Sequence, residues 1–377
     1  MPKLKRHQIN QAQQSAFELN QNLPESYQVE IFNEAIRFYK RHPDVHQRKV
    51  LLIGGGGYIG SVLTGYLLGG GYQVRTLDLL IYQNQQAILP YLSNPDYEFM
   101  HGDLCDSDTV ERSLIGITDV VILAGLVGDP ITKKYPLASD KINSAGIQKL
   151  IDQLNGKNLN RVILISTCSN YGLIPENALA DEHYELTPLS LYAKAKVAAE
   201  QHLLSLQGKV DYCPVIFRFA TAFGLSPRMR FDLSVSEFVR ELYLKHDLLV
   251  YDCDTWRPYC HTKDFSLIIR RALEAPQERV AFQVFNAGGE ANNYTKKMII
   301  NEILKYIPEG KVSYKEQGSD PRNYRVNFQK IKKALYFEPI YTVGDGVQEV
   351  ISALNQHLFD QVESNRNYYG NYEIQYE

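Results

Sequence analysis

V-L-L-I-G-G-G-G-Y-I-G-S, from Val50 to Ser61, is the stretch whose reading decides the fold. An apolar run breaks into four glycines and continues through Tyr58, Ile59 and Gly60, the pattern of a buried strand turning sharply into a helix. Glycines fall at 54, 57 and 60, a G-x-x-G-x-x-G spacing. Such a turn lets backbone N–H groups and the positive end of a helix approach a diphosphate, and the last glycine lets helix and strand pack closely. An apolar helical stretch leads on to a second strand, Gln73 to Leu77, which ends at Asp78, 18 residues beyond Gly60. A carboxylate there accepts both hydroxyls of an adenosine ribose and repels a 2′-phosphate, so NAD is expected rather than NADP. The alternative, a glycine-rich surface turn followed by an unrelated Asp, does not account for this spacing.

From Lys49 onward short β-type runs alternate with helical stretches: Val74 to Leu77, Tyr97 to Met100, Val120 to Leu123, Val162 to Ile165 and Val215 to Phe219. The alternation predicts an α/β fold, a doubly wound parallel sheet covered on both faces. Ligands of such sheets sit at the carboxyl ends of the strands. Three of those ends, Gly102-Asp103-Leu104, Ala124-Gly125-Leu126 and Ser166-Thr167-Cys168-Ser169, should ring one crevice.

Past Gly224 the alternation loosens, with short strands expected at Leu248 to Tyr251 and Val280 to Phe285. The expected organisation is an N-terminal helical extension (1–48), a dinucleotide-binding domain (49–224), a smaller C-terminal α/β lobe interleaved with it (225–358) and a Tyr-rich tail (359–377). In the extension Ile31, Phe32, Ala35, Ile36 and Tyr39 recur at helical spacing before His42-Pro43. In the tail, Tyr368, Tyr369, Tyr372 and Tyr376 stand among Asn, Gly and Gln, which reads as a mobile end.

A chain of 377 residues, 44% hydrophobic and 22% charged, can bury a sizeable core. A net charge of −3 without long like-charge runs argues against nucleic-acid binding. The five cysteines form no C-x-x-C pair, so neither a disulfide framework nor a metal site is expected. With no signal-peptide core and no run of membrane-spanning length, a cytoplasmic protein without a membrane partner is expected.

Tyr192-Ala-Lys-Ala-Lys196 opens an Ala-rich helical stretch. Residues four apart share a helix face, so the Lys196 ammonium can lie near the Tyr192 phenol. A phenol with an ordinary pKa of about 10 needs such a cation, and that of oxidised nicotinamide, to serve as a base near neutrality. Thr167, 25 residues before Tyr192 at the end of a strand, offers a hydroxyl to the same substrate oxygen.

At this point the chain resembles the extended short-chain dehydrogenase/reductase family of NAD-dependent nucleotide-sugar epimerases and dehydratases. The glycine motif, Asp78, Gly102-Asp103-Leu104, Thr167 four residues before Tyr171-Gly172, and Tyr192-x-x-x-Lys196 appear in family order over about residues 49 to 355. The resemblance implies a Rossmann sheet with Gly54, Gly57, Tyr58, Ile59 and Gly60 at the NAD diphosphate and Asp78 at the adenosine ribose. It implies Asp103 and Leu104 at the adenine, Ala124, Gly125 and Leu126 on the nicotinamide side, and Asn143 facing the site. Thr167, Tyr192 and Lys196 would be catalytic, with Lys196 also on the nicotinamide ribose. A nucleotide-diphosphate sugar would be held by Thr221, Arg228, Arg230, Arg257, Arg322 and Arg325. Arginine suits diphosphate because its planar fork binds oxygens in pairs. A homodimer is also implied.

Two departures narrow the reaction. Family 4,6-dehydratases follow the threonine with an Asp-Glu pair, whereas this chain has Cys168-Ser169. Thr221 stands where many epimerases carry asparagine. The expected activity is epimerisation of a nucleotide sugar for surface polysaccharide, with hydride transfer at C4. The alternatives are a 4-dehydrogenase or ketoreductase, then a 4,6-dehydratase or a non-catalytic NAD-binding regulator.

Overall fold

A computed structural model describes residues 48–175, 177–318, 320 and 322–376. The helix expected over Ile31 to Tyr39 lies outside the described residues. Strands β1 (Lys49–Ile53), β2 (Gln73–Asp78), β3 (Tyr97–His101), β4 (Asp119–Ile122), β5 (Arg161–Thr167) and β6 (Cys213–Phe219) follow the expected runs within a residue or two. They continue as β7 (Thr221–Phe223), β8 (Leu248–Tyr251), β9 (Trp256–His261), β10 (Gln283–Ala287), β11 (Asn293–Thr295) and β12 (Val312–Lys315).

Seven strands form one parallel sheet in the order β10-β6-β5-β4-β1-β2-β3. The order reverses between β1 and β4, where a crevice opens at the strand ends. β4, β5 and β6 are buried at every residue, which is why they read as continuous apolar runs rather than alternating ones. Alternate residues of β1 still serve opposite faces: Val50 and Leu52 join one core layer with Leu63 and Phe217, and Leu51 and Ile53 join the other with Leu150 and Leu164.

Two expectations are corrected. The run Val280 to Phe285 is split: Gln277–Val280 is a helical turn, and the strand is β10, which pairs with β6 and extends the main sheet. The apolar run is satisfied by both, because Val280 and Phe285 are buried in the same core cluster. The C-terminal end is docked rather than mobile, since Ile374 is only 7% exposed and packs with Leu104 and Ile142. Spaced single apolar residues between polar ones carry no periodic signal, so the sequence gave no hint of that packing.

The smaller lobe has its own core, in which Phe223, Phe231, Leu242, Ile303 and Val347 gather around Tyr58 of the glycine turn. Tyr58 Oη donates to the Gly224 carbonyl at 2.5 Å, so lobe and turn are fastened together.

Candidate functional site

The glycine turn is tighter than spacing alone shows. Gly54 has φ 87°, and a Cβ there would stand 2.7 Å from the Ala124 backbone, so β1 and β4 approach closely at the crevice. A Cβ on Gly60 would meet the Gly55 Cα at 2.6 Å and the Gly54 carbonyl oxygen at 2.7 Å. Gly57 caps helix Tyr58–Gly69 without any side-chain hydrogen bond and with no acidic residue in the first turn. The first N–H groups of that helix therefore remain for a ligand, and the site favours an anion.

Asp78 Oδ2 accepts from Gly56 N at 2.8 Å and Oδ1 from Leu80 N at 2.7 Å, which fixes the carboxylate at the edge of the turn. A cavity of about 570 Å³ runs from there past Gly102, Asp103 and Leu104, past Ala124, Gly125 and Leu126, to Thr167, Tyr192 and Lys196, and on to Thr221, Arg257 and Arg322. The three strand ends do ring one crevice. Together with the uncapped helix and the close-packed glycines, this arrangement fits NAD.

The catalytic candidates are held from below. Ser190 caps helix Leu191–Ser205 by accepting from Ala193 N at 3.1 Å. Buried Glu200, one turn beyond Lys196, accepts from Arg218 and Asn170 and anchors the helix to β5 and β6. Lys196 Nζ donates to the Ile165 carbonyl at 2.8 Å and lies 5.9 Å from the Tyr192 ring centre. Burial lowers its ammonium to about 8, with Glu200 opposing the shift. Burial also lifts the Tyr192 phenol well above its ordinary value; Arg230 counters this and Asp129 adds to it. Lys196 alone thus leaves Tyr192 a weak acid, and activation falls to the second cation, that of oxidised nicotinamide. Thr167 Oγ1 accepts from Ser169 N at 3.1 Å, which leaves its hydroxyl proton to donate into the cavity.

Several residues stand elsewhere than expected. Asn143 does not line the cavity: Oδ1 accepts from Leu126 N at 2.8 Å and Nδ2 donates to Leu126 O at 3.0 Å, so it holds the loop after β4. Its helix pointed toward the site, but the loop backbone consumes its amide. Arg325 is also outside the cavity lining, with its guanidinium 5.2 Å from the Trp256 ring centre. The alternation along the strand-like segment sends Arg322 and Tyr324 inward and Arg325 away.

Arg228 and Arg230 lie at the cofactor end. Arg228, 2% exposed, stacks 4.9 Å over the Tyr82 ring and draws on the Asp78 charge, while its Nε has no partner. Burial and then Arg230 lower its guanidinium to about 10, a cost that a neighbouring anion would offset. Arg230 is held by both oxygens of Asp232. At the sugar end Asp320 bridges two arginines, accepting from Arg257 Nη2 at 3.1 Å and Arg322 Nε at 2.7 Å. Asp129, which spacing did not single out, lines the cavity with Oδ2 3.2 Å from Arg322. It follows Gly128 just past β4, so the strand-end rule that selected Ala124 to Leu126 reaches it when extended a few residues. Among the described residues no group of His, Cys, Asp and Glu could hold a metal ion.

The sequence profile of the NAD dependent epimerase/dehydratase family matches residues 50–288, more than half of the chain. The chain belongs to that family. NAD is its cofactor, and it is an enzyme of this class. Curated relatives include a dTDP-glucose 4,6-dehydratase of Streptomyces niveus, 27% identical over 80% of this chain and 91% of the relative. Another is a UDP-glucose 4-epimerase of Corynebacterium glutamicum, 24% identical over 78% and 92%. A solved UDP-glucuronic acid 4-epimerase from Bacillus cereus, in complex with UDP-glucuronic acid and NAD, superposes with a TM-score of 0.74, 23% identity and coverage of 82% and 99%. A dTDP-glucose 4,6-dehydratase from Bacillus anthracis gives 0.74, 21%, 84% and 99%. At these identities the superpositions establish the shared fold. No described helix is long and apolar enough to cross a membrane.

Proposed function

We propose that this member of the family is a nucleotide-sugar epimerase acting through a keto-sugar, with the reacting carbon at C4. The observation that carries the reading is the absence of a free acid beside the catalytic tyrosine. Elimination across C5 and C6 needs a proton donor for the departing hydroxyl, and dehydratases place it just after the threonine. Here Cys168 turns into the core, its thiol on the Arg218 carbonyl, and Ser169 lines the cavity with a hydroxyl in its stead. The nearby carboxylates Asp129 and Asp320 face arginines, and the Asp320 carboxyl is held well below the usual carboxylate range by Arg322 and Arg257, against its burial. An arginine-held carboxylate is a poor acid.

In this reading Thr167 donates to the sugar hydroxyl oxygen and Tyr192 Oη takes its proton. NAD supplies a hydride acceptor that later returns the hydride. Lys196 keeps its charge near that exchange, and Arg257 and Arg322 exchange Asp320 for the substrate diphosphate. Thr221, in the cavity wall on β7, contacts the sugar or nucleoside. A homodimer built on the helices near Asn143 and Tyr192 is supported by exposed Leu137, Leu189 and Leu191 on that surface.

The test is to incubate the enzyme with UDP-, dTDP-, GDP- and CDP-sugars and follow the products by NMR. Inversion of the H4 signal without net NADH is expected. A new C6 methyl doublet would establish dehydration, and stoichiometric NADH a dehydrogenase.

A further inference from the structure

The C-terminal segment Tyr368–Tyr376 spans the cofactor end of the cavity and is fastened on both sides. On the smaller lobe, Tyr369 O accepts from Phe231 N at 2.8 Å, Gly370 O accepts from Arg228 Nη2 at 3.0 Å, and Asn371 N donates to Asp232 at 3.2 Å. On the sheet side, Asn371 Nδ2 donates to Val127 O at 2.9 Å and Tyr376 Oη donates to Asp103 Oδ2 at 2.7 Å. Ile374 is buried between them, and Lys141 stands 4.7 Å from the Tyr376 ring centre.

Two buried polar atoms of this junction have no hydrogen-bond partner: the Arg228 Nε donor and the Asn371 Oδ1 acceptor. Both residues line the cavity, and Asn371 is 8% exposed. A buried donor and acceptor left unpaired cost about 1–3 kcal/mol each, so their place in a cavity that takes NAD points to a ligand that satisfies them. Arg228 suits a diphosphate oxygen, and the Asn371 carbonyl a ribose hydroxyl.

We infer that residues 370–376 form the outer wall of the NAD site, Asn371 touching the cofactor and Gly370 and Tyr376 positioning Arg228 and Asp103. The inference rests on Asp103 meeting the adenine. Asp103 Oδ1 accepts from Cys105 N at 2.8 Å and Oδ2 from Tyr376, so its carboxylate is fixed in plane with one face open to the cavity. A cofactor walled in this way leaves only when the segment lifts. NAD is therefore a resident group that stays through many turnovers, as an epimerase that regains its NAD in each cycle allows.

The full-length protein is loaded with NADH, and its fluorescence is followed after dilution into excess NAD. A chain ending at Tyr369, and separately Asn371→Ala, should release NADH at least tenfold faster than the wild type. Tyr376→Phe should raise the NAD Kd about three- to tenfold and shrink the preference for NAD over its hypoxanthine analogue, which lacks the adenine amino group. Wild-type release by both shortened and Asn371→Ala proteins, or tighter NAD binding by the shortened chain, would overturn the inference. Asp103→Asn separates the two layers. If it leaves the analogue preference intact, Asp103 does not read adenine; if it abolishes the preference while Tyr376→Phe does not change it, the positioning role of Tyr376 is lost.

Discussion

Asn143 grips Leu126 by both backbone polar atoms, accepting from its N–H at 2.8 Å and donating to its carbonyl at 3.0 Å. The loop from Ala124 to Gly128 is thereby fixed against the glycine turn, and Gly125 leaves no room for a side chain because Asn143 Oδ1 would be 2.8 Å from its Cβ. Asn143→Ala strands both Leu126 groups, at a cost of about 1–3 kcal/mol in stability. A fall in Tm and in kcat, larger than the change in nucleotide-sugar KM, is the expected outcome by thermal melting and steady-state kinetics. A variant with wild-type melting would leave the loop without this anchor.

Tyr192→Phe keeps the ring and removes the proton acceptor. Proton transfer by a placed side chain contributes about 10²–10⁴ in rate, so kcat should fall by about that factor while the NAD Kd changes little. Retained turnover would remove Tyr192 from the base role.

Lys196 makes the cofactor-free protein respond to pH. Its buried ammonium has a pKa of about 8, against 10.5 when exposed. Between those values the unfolded chain binds more protons than the folded one, so this group adds stability as pH rises through that window. The difference is worth at most about 3 kcal/mol. Urea midpoints at about pH 7.5 and pH 9.5 should therefore rise for the wild type relative to Lys196→Met; parallel responses would contradict the buried, depressed ammonium.

Gly60→Ala forces a methyl into the backbone of Gly54 and Gly55, where nothing flexible can yield. Loss of NAD binding by isothermal titration, with a lowered Tm, is expected. Full NAD affinity in the variant would mean that helix and strand separate without penalty.

The arginines divide by ligand. Arg257→Ala should raise the nucleotide-sugar KM by about 10- to 100-fold, consistent with about 2–3 kcal/mol for a charge-assisted contact, and leave the NAD Kd near wild type. Arg228→Ala should do the reverse, weakening NAD and sparing the sugar nucleotide. Exchange of the two patterns would move Arg228 back to the substrate.

What the sequence determined by itself was whatever depends on local spacing. Four apolar residues, glycines three apart and a carboxylate at a strand end are enough to place a diphosphate and a ribose, because backbone geometry there follows from chain chemistry within about 30 residues. The Tyr192–Lys196 pair is legible for the same reason, one helical turn apart. Only the tertiary structure decided where long-range partners spend their hydrogen bonds. Asn143 is consumed by Leu126, Arg325 faces away while Arg322 faces in, and Asp320 occupies both arginines of the proposed diphosphate clamp. The widest gap is the C-terminal end, where low-complexity residues read as a mobile tail become a wall of the cofactor site. Tyr376 reaches Asp103 across 273 positions, and no periodicity encodes a contact made by one hydroxyl, one carbonyl and one buried isoleucine.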